Sequence, residues 1–116
     1  MNKLSSLKSN IEFRSLLKLN KINNNYFTIY FGKIYNQSQN KLKISFVTKK
    51  KVGNAVKRNR IKRKLKSAVI QNINKLTHIK NYGYLIIARN KVYEEKFRVL
   101  NEKINETFCK IEKIIN

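Results

Sequence analysis

The sequence predicts an α+β fold, a single domain over residues 1–116 built as an α/β sandwich around a central sheet of four strands or fewer. The chain has 116 residues, and 41% of them are hydrophobic. A chain of this size buries roughly two thirds of its unfolded surface, so its core requires no disulfide or metal. Segments with strand-like and helix-like apolar patterns follow one another in the order α-β-β-α-β-α.

The first predicted element is a short amphipathic helix in "SNIEFRSLLKL". Ser9 is a candidate helix cap with Glu12 three positions later, which is the pattern of a capping box. Phe13, Leu16 and Leu17 follow at helical spacing and would form one apolar face.

Three segments have the composition of β-strands. "YFTIYFGKI", Tyr26–Ile34, is rich in β-branched and aromatic residues, and "LKISFVT", Leu42–Thr48, alternates apolar and polar residues. A polar loop joins these two strands, which are expected to be antiparallel. "YGYLIIAR", Tyr82–Arg89, is apolar without alternation, which indicates a strand buried on both faces.

Two further helices are predicted from apolar spacing. The segment after Gly53 has apolar residues at helical intervals up to about Leu76, and a long C-terminal helix begins near Glu94. The apolar positions are Ile61, Leu65, Ala68 and Val69 in the first of these helices and Phe97, Leu100, Ile104, Phe108, Ile111 and Ile115 in the second.

Positive charge is concentrated in the segment from Lys49 to Lys66, "KKKVGNAVKRNRIKRKLK". The chain carries a net charge of +21, and ten of these eighteen residues are basic while none is acidic. At about 100° per residue, Asn59, Arg63 and Lys66 lie opposite the apolar positions of this helix, with Arg60 and Lys62 on the flanks.

This basic face predicts a nucleic-acid-binding surface, because guanidinium groups bind phosphates through paired donors and lysines add mobile charge. A merely solvated helix face is the alternative, but such faces usually carry both signs of charge. A nuclear localisation signal would also be basic, yet it would not require an amphipathic helix after a glycine turn.

Candidate catalytic groups are scarce. The sequence has one histidine, His78, one cysteine, Cys109, six glutamates and no aspartate. Glu102 and Glu106 share a helical face beside lysines, which indicates a solvated face, and a cap or surface role is expected for His78. A protein-only active site and a protein-held metal are therefore not expected. The single cysteine and the lack of a long apolar segment predict a cytoplasmic protein with no membrane contact.

The run "KKKVGNAVKRNRIKRKLKSAV" resembles the signature of the bacterial ribonuclease P protein family, with Arg58, Asn59 and Arg60 at its centre. Blocks similar to the family's others, "NIEFRSLLK", "YFTIYF", "LKISFVTKK" and "YLIIAR", occur in the same order. The resemblance implies a ribonucleoprotein in which an RNA subunit holding Mg²⁺ removes the 5′ leader of precursor tRNA. The protein is expected to bind that RNA and the leader, without a further protein partner.

The resemblance also implies site residues. The positions expected to face the catalytic RNA are Asn54, Arg58, Asn59, Arg60, Lys62 and Arg63, and Lys66 joins them on the outer helix face. Phe13, Leu17 and Tyr30 match the leader cleft, where bases stack on aromatic rings. Leu17 replaces a common aromatic, and ordinary core packing is the alternative for all three.

Two expectations compete with general rules or with other families. A strand, a helix and a parallel strand usually form a right-handed crossover, in about 98% of cases, whereas the resemblance implies the left-handed form, which we adopt. A small basic ribosomal protein is the main functional alternative, since it would share the size, charge and mixed fold. A DNA-binding architectural protein is a weaker alternative, because nothing indicates a helix-turn-helix pair.

Overall fold

The computed structural model describes residues 3–5, 20–33, 41–72 and 82–115. These residues form a five-stranded sheet in the order β1-β4-β5-β3-β2, with two helices. The strands are β1 (Lys3–Ser5), β2 (Asn20–Asn23), β3 (Phe27–Lys33), β4 (Lys41–Thr48) and β5 (Tyr82–Ala88), and the helices are α1 (Ala55–Asn72) and α2 (Phe97–Ile115).

One face of the sheet packs against both helices to form the main core. Side chains alternate between the faces of a strand, so β3 directs Phe27, Ile29 and Phe31 to this side. Both helices contribute their apolar stripes, and all of these side chains are buried: Ile61, Leu65, Ala68 and Val69 from α1, and Leu100, Ile104, Phe108 and Ile111 from α2. The apolar spacing in the sequence therefore identified the buried face of each helix.

β5 is the central strand and is buried on both faces, as its unbroken apolar composition predicts. It pairs with β4 in parallel and with β3 antiparallel. On the helix side, the ring of Tyr84 lies 6.5 Å from that of Phe31 and 5.5 Å from that of Phe108. Burial raises the pKa of Tyr84 far above its usual value, so this ring stays neutral within the core.

A buried polar contact joins the two helices. The amide nitrogen of Asn72 donates to Oδ1 of Asn101 over 2.7 Å and to the main-chain oxygen of Ala68 over 2.8 Å. Pairing satisfies the buried amide of Asn72, which would otherwise destabilise the fold. The contact fixes how the last turn of α1 lies along α2.

The α+β class is confirmed, but the sheet has five strands where four or fewer were expected. The sequence pattern did not indicate β1 and β2, because they are only three and four residues long and largely polar. β2 forms by antiparallel pairing with β3 across a turn in which Asn24 Oδ1 accepts from the main-chain nitrogens of Tyr26, at 2.8 Å, and Phe27, at 2.9 Å.

The strand directions agree with expectation, although one neighbour relation differs. β3 and β4 are antiparallel to each other, but β5 lies between them. The predicted N-terminal helix and His78 lie outside the described residues, as does the predicted end of the basic helix near Leu76. The left-handed crossover from β4 through α1 to β5 stays a prediction of the family resemblance.

Candidate RNA-binding surfaces

The start of α1 is organised by Asn54. Its side-chain oxygen Oδ1 accepts from the main-chain nitrogen of Lys57 at 2.9 Å, and its main-chain oxygen accepts from that of Arg58 at 3.0 Å. The side-chain bond satisfies one of the main-chain donors left open at a helix start, and the main-chain bond is the first regular bond of the helix. The first turn contains no acidic residue, so the positive end of the helix dipole is not neutralised there. Asn54, predicted to contact RNA, is thus also the cap that sets the direction of the basic helix.

Gly53 allows the chain to approach α1 closely before the cap. Its φ is 158°, and a Cβ atom at this position would lie 2.6 Å from Cδ of Lys57. The side chain of Lys57 passes over Gly53 and places its Nζ atom 4.9 Å from the ring centroid of Tyr93. The ammonium group of Lys57 therefore packs against the ring of Tyr93, in the turn that precedes α2.

The outer face of α1 is cationic, as the helical geometry predicts. Asn59, Arg60, Arg63 and Lys66 are exposed, whereas Arg58 and Lys62 are half-buried. Within the described part of the chain, the guanidinium groups of Arg60 and Arg63 have no hydrogen-bond or ion-pair partner. The Nε atom of Arg58 is buried and has no hydrogen-bond partner among the described residues. Exposed guanidinium groups without carboxylate partners can bind phosphate oxygens with little rearrangement.

Lys64 differs from the other cations of α1. Its Nζ atom donates to the main-chain oxygens of Val92 (3.0 Å), Tyr93 (2.9 Å) and Glu95 (2.7 Å). Lys64 therefore joins α1 to the turn that precedes α2. No sequence signal distinguishes it from its neighbours, since the contact depends on residues about 30 positions away.

Tyr30 lies on the sheet face opposite the helices and not in the main core. It is half-buried and belongs to a small apolar cluster with Leu85, Val47 and Ile87. Leu85 is its partner on β5. The other two residues predicted for the leader cleft, Phe13 and Leu17, lie outside the described residues.

A groove of about 420 Å³ runs past Tyr30. It brings together one aromatic ring and three exposed cations, Lys49, Lys51 and Arg89. Lys49 and Lys51 belong to the basic segment recognised in the sequence, but no local pattern links them to Tyr30 or to Arg89, which is about 40 residues away along the chain. The complete lining is Thr28, Tyr30, Lys49, Lys51, Val52, Ile87, Ala88, Arg89 and Asn90.

Arg89 is held at the edge of this groove. Its Nη2 atom donates to Oγ1 of Thr28 at 3.1 Å, and its main-chain nitrogen donates to the oxygen of Tyr26 at 2.8 Å. The lysines stand on the segment that leads through a short 3₁₀ turn, Lys50–Val52, into Gly53 and α1. The Tyr30 groove and α1 are therefore connected by a short segment that begins with three lysines, Lys49, Lys50 and Lys51.

The described residues offer no metal cage. No group of three or more His, Cys, Asp or Glu side chains lies together in the described ranges.

Glu106, predicted to be on a solvated face, forms ion pairs with Lys103 at 3.6 Å and Lys110 at 3.5 Å. Neither α1 nor α2 has the length and apolarity needed to cross a lipid bilayer.

Sequence comparisons identify ribonuclease P protein components among the relatives of this chain. The family model described as Ribonuclease P matches residues 1–112. A ribonuclease P protein component of Fusobacterium nucleatum is 38% identical, and the match covers 90% of this chain and 95% of that protein. The corresponding protein of Bacillus pumilus is 33% identical, with 95% of this chain and 90% of that protein covered.

Solved structures agree with the sequence comparisons. The RNase P protein of Staphylococcus aureus is similar with a TM-score of 0.72 and 26% identity, over 96% of this chain and 97% of that one. The RNase P protein of Thermotoga maritima has a TM-score of 0.73 at 23% identity, over 90% of this chain and 94% of that one, which shows the shared fold. The match of the family model over nearly the whole chain, with relatives above 30% identity, shows that this chain belongs to the ribonuclease P protein family.

Proposed function

We propose that this chain, as the protein subunit of the endoribonuclease ribonuclease P, binds the catalytic RNA through the outer face of α1 and the 5′ leader of precursor tRNA in the Tyr30 groove. The observation that carries the first assignment is the pair of exposed guanidinium groups of Arg60 and Arg63, for which the described residues provide no partner. Asn59 and Lys66 extend the same face, so several phosphates could be bound along it. The family assignment does not favour the alternative of a ribosomal protein.

The composition of the Tyr30 groove supports the second assignment. A single-stranded leader has exposed bases and an uninterrupted phosphate backbone, so it is bound best by an aromatic ring with cations alongside. Tyr30 offers the ring, while Lys49, Lys51 and Arg89 offer positive charge around it. A stacked base contributes about 1–3 kcal/mol, and the cations add affinity that falls with salt.

We further propose that the RNA subunit holds the catalytic Mg²⁺ and that the protein assists by screening phosphates. The net charge of +21 and the lack of a suitable donor cluster in the described ranges support this division of roles. The protein should then stimulate leader removal most at low Mg²⁺, where its cations replace part of the screening by metal. A cytoplasmic location and independence of further protein partners stay predictions.

Cleavage of precursor tRNA by the separate and combined subunits tests the proposal. The protein freed of RNA should leave the leader intact, the RNA subunit alone should need high Mg²⁺, and the two together should cleave at low Mg²⁺. Cleavage by RNA-free protein would contradict the proposal, and so would a holoenzyme whose Mg²⁺ requirement equals that of the RNA alone.

A further inference from the structure

A second groove, of about 460 Å³, lies between α1 and the first turn of α2. It shares no lining residue with the Tyr30 groove. Its lining consists of Val56, Arg60, Arg63, Lys64, Ser67 and Phe97. The five α1 residues follow helical spacing, so they form one flank of that helix, and Phe97 closes the groove from the other helix.

The groove combines apolar surface with unneutralised charge. Val56 is 77% exposed, which is high for a large apolar residue, and Phe97 is only partly buried against the core. Among the cations that line this groove, Arg60 and Arg63 are exposed and have no partner in the described part of the chain. The ammonium group of Lys64 is already bound to three main-chain oxygens, so its side chain forms a fixed part of the wall.

The apolar surface and the two guanidinium groups together indicate which kind of molecule fits this groove. An apolar peptide would leave two guanidinium groups facing it without a counter-charge, and a fully paired RNA helix would leave the apolar wall in contact with water. An unstacked nucleotide satisfies both parts of the groove, because its base has a π-face and its phosphate is an anion. The volume falls within the range of about 300–1,000 Å³ that is usual for small-molecule sites.

We propose that this groove binds one unstacked nucleotide of the catalytic RNA, with its base against Phe97 and Val56 and its phosphate held by Arg60 and Arg63. The inference rests on the proposed function, in which α1 binds that RNA, and adds an apolar subsite that involves a residue of α2. Phe97 then contributes to RNA affinity although it lies about 30 residues after the signature segment in the sequence.

The test measures binding of the full-length protein to the ribonuclease P RNA of the same organism. Phe97→Leu keeps an apolar side chain but removes the ring, and it should weaken binding by about 5-fold or more, the low end of what one stacked base contributes. Val56→Ser should weaken it by about 3-fold or more, since it removes apolar contact from an exposed site that folding does not need. Ile114→Ser, at a similarly exposed apolar position of 55% in the last turn of α2, is the matched control and should bind like the unmodified chain.

Two further readouts separate an RNA contact from structural damage. Phe97→Leu and Val56→Ser should leave the dependence of log K on log salt unchanged, because they remove no charge, whereas Arg60→Ala should reduce it. Chemical probing of base edges should reveal a nucleotide that the unmodified protein protects and that Phe97→Leu leaves reactive.

The outcomes distinguish this inference from the proposed function on which it rests. If Arg60→Ala weakens RNA binding while Phe97→Leu and Val56→Ser do not, α1 binds the RNA and the nucleotide subsite is wrong. If the unmodified protein shows no affinity for the RNA, the proposed function itself fails. Equal losses for Val56→Ser and Ile114→Ser would also overturn the subsite, because they would show no preference for the groove.

Discussion

The Nζ atom of Lys64 lies 2.7 Å from the main-chain oxygen of Glu95, which ties the basic helix to the turn before α2. Lys64→Met should therefore lower the free energy of unfolding by about 2–3 kcal/mol, because main-chain oxygens lose a charged donor. Thermal and urea unfolding would measure this. Lys66→Met, at an exposed position two residues later, is the matched control and should unfold like the unmodified chain while weakening RNA binding. Equal stability losses in both variants would contradict the assignment.

The contact between Tyr26 and Glu95 predicts a pH dependence of stability. The tyrosine hydroxyl donates to Oε2 of Glu95 at 2.7 Å, and this bond, together with the main-chain nitrogen of Lys96, lowers the pKa of the carboxyl group. Because the pKa of Glu95 is lower in the folded state than in the unfolded chain, its ionised carboxylate stabilises the fold at pH values above the ordinary glutamate pKa. This stabilisation is lost as the pH falls through the lowered pKa of the folded state.

Tyr26→Phe should remove part of this contribution, so the melting temperature should fall less steeply on acidification below about pH 4.3, the ordinary glutamate pKa. Melting curves from neutral to acid pH would measure the slope. Tyr93→Phe removes a hydroxyl for which the described residues provide no bonding partner, and its profile should match that of the unmodified chain. A Tyr26→Phe profile as steep as that of the unmodified chain would mean that the contact does not affect stability.

The close approach of Gly53 to Lys57 predicts a non-additive pair of substitutions. Gly53→Ala places a methyl group 2.6 Å from Lys57 Cδ and should destabilise the fold by about 1 kcal/mol, because the lysine must leave its position near Tyr93. In a Lys57→Ala background the same glycine substitution should cost less, since the clash is gone. Unfolding of the two single variants and the double variant completes the cycle. If the losses of unfolding free energy in the two single variants add up to that of the double variant, the destabilisation by Gly53→Ala comes from the backbone at Gly53 and not from the contact with Lys57.

Arg63 predicts a change in the salt dependence of RNA binding. If its guanidinium group neutralises one phosphate, Arg63→Ala should reduce the slope of log K against log salt by about 0.7–0.9, depending on RNA strandedness. Lys110→Ala removes the same charge from a residue that pairs with Glu106, and it serves as the control. A slope that Arg63→Ala leaves unchanged would place this residue away from the RNA backbone.

Local patterns in the sequence were sufficient to predict the long elements. The strand predicted over Tyr26–Ile34 is observed as Phe27–Lys33, and the buried apolar residues of both described helices lie at predicted positions, while Phe97 is only partly buried. These signals are strong because a long amphipathic segment repeats its pattern several times. β1 and β2 are too short to do so and depend on pairing with β4 and β3.

The candidate surfaces could be predicted only where their residues are close together in the sequence. The exposed face of α1 follows from helical spacing alone, so Arg60, Arg63 and Lys66 were identified. The position of β5 between β3 and β4 is a property of the whole topology, and the sequence pattern does not determine it. For the same reason, the cations around Tyr30 and the contribution of Phe97 to the second groove could not be predicted.

The central claim is that two separate surfaces bind two RNAs, and binding by Tyr30 and Arg60 variants tests it most directly. Affinity for the catalytic RNA, for precursor tRNA bound to the holoenzyme and for mature tRNA would be measured for Tyr30→Ala and Arg60→Ala. Tyr30→Phe keeps the ring and is the matched control, and melting temperatures establish that each variant is folded.

Arg60→Ala should weaken binding of the catalytic RNA whether or not a substrate is present, because it removes a charged contact to that partner. Tyr30→Ala should leave holoenzyme assembly and mature tRNA binding unchanged but reduce affinity for precursor tRNA by about 1–3 kcal/mol, through loss of one stacked leader base. Equal losses for precursor and mature tRNA, or a collapsed melting temperature for Tyr30→Ala, would show that Tyr30 only stabilises the fold and would contradict the two-surface account.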